Sequence, residues 1–336
     1  MNIISLFAGA GGLDRGFENA GFNVIWANEY DKNIWETYRI NHPHNQLDTR
    51  SITQVEAGDI PDFGADGEPV IGMIGGPPCQ SWSLAGAMRG LEDNRGQLFL
   101  DYLRILREKQ PLFFVAENVP GMLSPTHIEA FNNIKDMFRE SGYNVTHKLL
   151  NANDYGVPQE RKRVILVGFR NDLGIEFDFN TMKQVDPKPV LRDAFAGLPE
   201  PLSALEKNKT NGEALNFANN EYFVGDFSSI YMSRNRRRTW EEPSFTIQAG
   251  ARHAPIHPAS CPMEKLEANK WRFASDQYRR LSVRECARVQ TFPDDFEFKY
   301  TSLADGYKMI GNAVPVKLGE AIAVAIRETL RPIIEH

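Results

Sequence analysis

From Ile3 to Phe169 the chain alternates short apolar runs with longer amphipathic stretches, and this alternation constrains its fold more than any other feature. The runs are Ile3–Phe7, Asn23–Ala27, Val70–Ile74, Phe113–Glu117 and Arg163–Phe169. Between them lie Leu13–Ala20, Tyr30–Asn41, Leu98–Glu108 and Ile128–Ser141. Strands and helices taking turns in this way predict an α/β fold with a doubly wound, mostly parallel sheet, because neighbouring parallel strands need a crossover and a helix supplies it. Ligands of such sheets collect outside the carboxyl ends of the strands, so the residues that directly follow the apolar runs carry the functional information.

Three of these strand ends are unusual. Phe7-Ala8-Gly9-Ala10-Gly11-Gly12-Leu13 follows the first run and opens a helix, and Glu29 closes the second run. Glycines admit close backbone approach to a ligand, and an acidic residue after the second strand can accept hydrogen bonds from ribose hydroxyls, so the pair suits a nucleoside. A plain strand-to-helix turn with a surface Glu, or the glycine turn of a nicotinamide-dependent dehydrogenase, fits the same residues. Gly75-Gly76-Pro77-Pro78-Cys79-Gln80-Ser81-Trp82-Ser83 follows the third run, and its two prolines fix the backbone in front of a thiol. A structural cysteine is the commoner role of such a residue standing alone. The fourth run ends in Glu117-Asn118-Val119, a carboxylate that can grip a base edge or sit on a helix dipole. Gln159-Glu160-Arg161-Lys162-Arg163 precedes the fifth run and, taken alone, reads as a solvated charge cluster.

At 336 residues the chain exceeds one typical domain of about 100–200 residues, so two are expected. Pro187, Pro189, Pro199 and Pro201, followed by Lys207-Asn208-Lys209-Thr210-Asn211-Gly212, predict a linker, and Val316–Leu330 predicts a final amphipathic helix that returns to the first domain. The expected boundaries are 1–182 with 305–336 for the first domain and 183–304 for the second. A composition of 42% hydrophobic and 24% charged residues excludes a disordered chain. Three cysteines without CxxC spacing argue against a disulfide framework or a zinc site, and no metal is expected. The net charge of −6 would discourage nucleic acid as a partner, but Ile230–Gln290 holds ten Arg and two Lys against five Glu and one Asp, a local excess able to face phosphates. The N-terminus lacks a basic leader, and no uncharged apolar stretch approaches the roughly 20 residues of a membrane span, so a cytoplasmic protein with no membrane association is expected.

In order, FAGAGG, GGPPCQS, ENV, QERKR, Arg284-Glu285-Cys286-Ala287-Arg288-Val289-Gln290-Thr291-Phe292-Pro293 and Gly311-Asn312-Ala313-Val314-Pro315 resemble the blocks of the cytosine-5 DNA methyltransferase family over essentially the whole chain. The resemblance implies the S-adenosylmethionine-dependent methyltransferase fold with a smaller target-recognition domain. The activity it implies is transfer of a methyl group from S-adenosyl-L-methionine to carbon 5 of a cytosine flipped out of double-stranded DNA. By the same resemblance Cys79 attacks carbon 6 of the base, Glu117 binds N3 and N4, and Arg163, aided by Arg161, holds O2 and positions Glu117. Phe7, Gly9, Ala10, Gly11, Asn28, Glu29, Tyr30, Pro78, Leu98, Asn312 and Val314 match cofactor-lining positions. Ser51 and Ile52 stand where relatives carry an acidic residue on the adenine amine, with Asp48 and Asp59 as the nearby acids.

Arg234, Arg236, Arg237, Arg238, Gln248 and Arg252 lie where the family reads its target, and arginine is the commonest reader of guanine. Arg252, flanked by small residues, is expected to read a base, and Arg237 and Arg238 to contact phosphates. The terminal blocks and the SRNR and HP elements look closest to the bacterial restriction-modification methylases that modify GGCC. A short GC-rich palindrome, a monomer, and a partner restriction endonuclease acting on the same site are therefore expected. RNA-directed members share the catalytic blocks but carry a Cys-Phe-Thr element not found here. A catalytically inert DNA-binding relative would not need Cys79, Glu117, Arg161 and Arg163 together.

Overall fold

The computed structural model describes residues 1–78 and 94–334. The chain forms two compact units, one of Met1–Asn151, Lys162–Lys183 and Leu318–His336, the other of Ala152–Arg161 and Gln184–Lys317.

The first unit is built on seven strands, β1 (Asn2–Leu6), β2 (Asn23–Asn28), β3 (Gln46–Asp48), β4 (Val70–Gly75), β5 (Phe113–Asn118), β6 (Tyr143–Asn151) and β7 (Lys162–Arg170), in the order β3-β2-β1-β4-β5-β7-β6. β1 to β5 are parallel, and β7 runs antiparallel to both β5 and β6. Strand order reverses between β1 and β4, which puts the carboxyl ends of those two strands at the switch point where a doubly wound sheet opens a crevice. Every residue of β1 is buried, as expected of a strand covered on both faces. β6 escaped the sequence reading because it is an edge strand of alternating burial and offers no continuous apolar run.

Helices α1 (Gly12–Asn19), α2 (Trp35–Asn41), α3 (Asn94–Lys109) and α4 (Ile128–Glu140) accompany the sheet. Phe99, Tyr102, Leu103 and Leu106 of α3 and Phe131, Ile134 and Phe138 of α4 recur at helical spacing and form one core with Leu6, Met73 and Phe114. Phe114 and Phe138 stack at 4.4 Å within it. α2 starts at Trp35 rather than Tyr30, because the Asp31 side chain accepts from the Asn33 N–H and diverts the backbone into a turn.

The second unit contains α5 (Leu191–Phe195), β8 (Leu202–Ser203), β9 (Glu221–Tyr222), β10 (Met263–Glu267), β11 (Lys270–Phe273), α6 (Val283–Val289) and α7 (Leu303–Asn312). The stretch expected to be a linker is part of this unit. β8 pairs with β9, and the fully buried Glu221 carboxylate accepts from Thr210 Oγ1, the Asn211 N–H and Tyr300 Oη. The prolines limit local conformation, but long-range hydrogen bonds hold the segment. The final helix, α8 (Val316–Ile334), rejoins the first unit from Leu318, where a Cβ on Gly319 would lie 3.3 Å from Leu13 and Arg327 donates to the Ala20 carbonyl at 2.7 Å. Leu303–Ile334 is long and apolar enough to cross a membrane by composition, yet 72% of its most apolar window is buried inside the molecule, the signature of core packing.

Candidate active site

After β1 the chain turns through Phe7 (φ 54°), Gly9 (φ 57°) and Gly11 (φ 86°), with left-handed backbone at all three positions. Gly11 is irreplaceable on sterics, since a Cβ there would lie 2.1 Å from Nε2 of the buried His42. Gly9 faces open space. Glu29, at the end of β2, closes the turn: one carboxylate oxygen accepts from the Gly9 N–H at 2.8 Å and the other from the Asp31 N–H at 2.7 Å. Phe7 and Leu98 are half-buried against the core, Ala10 is buried, and Tyr30 is 71% exposed.

Other residues expected around a cofactor have internal partners. Asn28 is buried and its amide donates to the Asp48 and Arg50 carbonyls, so it braces the ends of β2 and β3. Ile52 is a core residue, 2% exposed, and Ser51 Oγ pairs with Thr53 Oγ1 at 2.9 Å. Asp48 and Asp59, the acids nearest in sequence, both hold Arg50. Its guanidinium keeps the Asp48 carboxyl below the usual range.

At the end of β4, Gly75 passes so close to β1 that a Cβ would lie 2.2 Å from the Leu6 carbonyl oxygen, and a Cβ on Gly76 would lie 3.0 Å from Glu117 Oε2. The chain leaving β4 therefore runs directly beside Glu117. Pro78 is exposed, and Cys79 lies outside the described residues. Across the β5–β7 ladder, Arg163 Nε stands 2.7 Å from Glu117 Oε1, and both side chains are largely buried. Of the described cysteines, Cys286 is fully buried, which pushes its thiol well above the usual range, and Cys261 Sγ donates to the Ser275 carbonyl. Neither is set as a nucleophile.

Arg161, expected beside Arg163, is 1% exposed and belongs to the second unit. Its guanidinium donates to the carbonyls of Ile247, Gly311 and Ala313. Through these bonds Arg161 acts as a strut, and the block is no solvated loop, since Gln159 is fully buried as well. Gln159 and Gln290 escaped the sequence reading even though both sit inside quoted blocks, because an uncharged amide gives no pattern signal. Val314 is buried and Asn312 exposed.

The arginine-rich segment is mostly inward-facing. Arg280 donates to the Gly225 and Asp226 carbonyls and lies over the Phe227 ring, while the buried Arg284 donates to the carbonyls of Ala218, Pro293 and Phe296. Arg272, Arg279 and Arg288 pair with Glu264, Glu285 and Asp294. Arg237, tied to the Pro258 carbonyl, and Arg238, paired with Glu160 and Glu242, were both expected on phosphates, and each already has an internal partner. Arg236 is 8% exposed and donates to the Ile230 and Tyr231 carbonyls. Arg234, Gln248 and Arg252 are exposed. Arg234, Arg236 and Gln248 line one concavity of about 190 Å³ together with Asn235, Thr246 and His253. Among the described residues no group of three or more His, Cys, Asp or Glu could hold a metal ion.

Comparison with known proteins follows the same lines. The profile of the C-5 cytosine-specific DNA methylase family matches residues 1–328. The chain is 53% identical to the Type II methyltransferase M.MthTI of Methanothermobacter thermautotrophicus over 99% of both chains. It is also 53% identical to the Type II methyltransferase M.NgoPII of Neisseria gonorrhoeae, over 98% of this chain and 96% of the relative. Among solved structures, the S. pombe Dnmt2 methyltransferase superposes with a TM-score of 0.67 at 19% identity over 99% of both chains, a likeness of fold. With its strand order, the Glu117–Arg163 pair and this similarity over its whole length, the chain belongs to the C-5 cytosine-specific DNA methylase family and is a DNA cytosine-5 methyltransferase.

Proposed function

We propose that this enzyme methylates carbon 5 of a flipped-out cytosine in a short GC-rich palindrome of double-stranded DNA, with GGCC the first site to test. The observation that carries the chemistry is the Glu117–Arg163 pair at 2.7 Å, at the carboxyl end of β5 and beside the chain that leads into Cys79. Cys79 adds to carbon 6 of the base, which makes carbon 5 nucleophilic. Glu117 binds N3 and N4 and favours protonation at N3, and Arg163 orients Glu117 and holds O2. After carbon 5 takes the methyl group, it loses its proton and Cys79 departs, restoring the ring.

S-adenosyl-L-methionine supplies an electrophilic methyl group when bound. The residues of the first unit fit it: Gly9 presents an open face, and the Glu29 carboxylate, oriented by two amides, is an acceptor suited to ribose hydroxyls. Phe7, Tyr30 and Leu98 are the apolar surfaces for the adenosine. Asn312 and Val314 join them by family resemblance.

Residues 183–304 act as the target-recognition domain and 1–182 with 305–336 as the catalytic domain, although 152–161 and 305–317 pack within the second unit. The exposed Arg234, Gln248 and Arg252 read bases, with Arg236 beside Arg234 and Gln248 in one concavity. Two relatives bear the name Type II methyltransferase. That supports a role in protecting host DNA from a restriction endonuclease acting on the same site, and we take the enzyme to work as a monomer in the cytoplasm.

Bisulfite sequencing of DNA from cells expressing the protein identifies the site. A duplex with 5-fluorocytosine at the target then tests the chemistry, because fluorine blocks the final elimination. A denaturant-resistant adduct is expected with the wild-type enzyme and none with Cys79→Ala. No adduct from an active wild-type enzyme overturns the covalent route.

A further inference from the structure

Inside the second unit, three buried side chains fasten the loop that carries Gln248 to the block that carries Asn312 and Val314. Gln159 Oε1 accepts from the Ile247 N–H at 2.8 Å, and Gln159 Nε2 donates to Gln290 Oε1 at 2.8 Å. Gln290 is fully buried, and its Nε2 donates to the carbonyls of Ile310 at 2.7 Å and Ala313 at 3.2 Å. Arg161 forms the second arm, with Nη1 on the Ile247 carbonyl at 2.9 Å and Nη2 on those of Gly311 and Ala313 at 2.9 and 3.0 Å. No side chain separates the two segments where they meet. A Cβ on Gly311 would fall 2.3 Å from the Gln248 carbonyl carbon and 2.4 Å from the Ala249 nitrogen.

We propose that this clamp couples base reading to cofactor binding, with Gln290 as the positioning residue that carries the coupling. The proposal rests on the reading of Gln248 as a DNA-facing residue and of Asn312 and Val314 as cofactor residues. Buried amides paired on both sides leave no slack between the segments, because a displacement of either strands polar groups away from water. A shift of Ile247–Ala249 on meeting the correct bases is thus passed to Ile310–Ala313. Linkage makes the effect reciprocal: DNA of the right sequence tightens the cofactor by the same factor as the cofactor tightens that DNA.

The test is titration of S-adenosylhomocysteine, which binds without turnover, onto the protein alone, with a duplex carrying the site found by bisulfite sequencing, and with a single-mismatch duplex. The wild-type protein is expected to bind it about 5-fold or more tightly on the cognate duplex than on the mismatched one. In Gln290→Leu this ratio falls to near one while both duplexes still bind. Gly311→Ala, which forces the segments apart by sterics alone, does the same and answers the question if Gln290→Leu does not fold. A wild-type ratio of one, or a variant that melts earlier yet keeps the wild-type ratio, overturns the coupling and leaves a structural clamp. Absence of any S-adenosylhomocysteine binding to the wild-type protein overturns the cofactor reading beneath it.

Discussion

Two arginines two residues apart in one charged block are predicted to fail in opposite ways. Arg161→Met removes a guanidinium that is 1% exposed and leaves the Ile247, Gly311 and Ala313 carbonyls without that donor. Ala313 keeps its bond from Gln290, so two acceptors are left unpaired and at roughly 2 kcal/mol each the loss is about 4 kcal/mol. Relief from burying a charge offsets about half of it, leaving about 2 kcal/mol. At roughly 2–4 °C per kcal/mol, the unfolding midpoint drops by about 4–8 °C. Well below that midpoint the enzyme retains turnover. Arg163→Met breaks the ion pair with Glu117, whose two side chains are 13% and 15% exposed, and leaves the neighbouring core intact. Its midpoint should fall by less than about 3 °C, because the Glu117 carboxylate it leaves behind keeps some contact with water at 15% exposure. Its kcat should fall by roughly 100-fold or more, the usual cost of losing one group that stabilises developing charge. Calorimetric melting and single-turnover methylation of both variants make the comparison. Equal midpoints for the two, or a larger loss of kcat in Arg161→Met, would refute the division of labour.

Gly11→Ala forces a Cβ to within 2.1 Å of His42 Nε2 at a left-handed φ and should cost at least about 2 kcal/mol, whereas Gly9→Ala meets only the left-handed strain of roughly 1–2 kcal/mol; melting of the two variants ranks them, and equal losses would contradict the steric argument. Arg252→Ala should weaken cognate DNA by about 1–3 kcal/mol more than a mismatched duplex, while Arg238→Ala, whose charge is already paired with Glu160 and Glu242, should leave the salt dependence of binding unchanged; a slope lower by about one unit in Arg238→Ala would show a phosphate contact after all. Burial holds the His257 imidazole below its usual pKa against the opposing pull of Glu285, so the unfolded chain takes up this proton first as the pH falls. The stability linked to His257 is complete above the unfolded value of about 6.5 and is lost as pH drops toward the depressed folded value. Wild-type midpoints should therefore fall between pH 7.5 and 5.5 and His257→Gln should flatten part of that slope; an unchanged slope in the variant would refute the assignment.

The alternation of apolar runs and amphipathic stretches was enough to specify a parallel α/β sheet and to locate its strand ends, because burial on one face or both is written into the period of each local segment. Gly9, Gly11, Glu29 and Glu117 stood out as residue types that a strand end does not ordinarily need, whereas Arg163 was singled out only through the family resemblance. Only the tertiary structure decided which charges face inward. Arg161 finds its three carbonyls 86 to 152 residues away, and Arg284 and Arg280 find theirs up to 66 and 55 residues away. A dense arginine run therefore looked like a phosphate-binding surface, although most of its guanidiniums tie loops together. The stretch around Pro187 to Gly212 was likewise read as a linker, because the buried Glu221 that organises part of it lies beyond its end. Local pattern reports how often a residue must be buried, but a buried charge is tolerated only where distant groups converge to satisfy it, and that convergence exists only once the chain has folded.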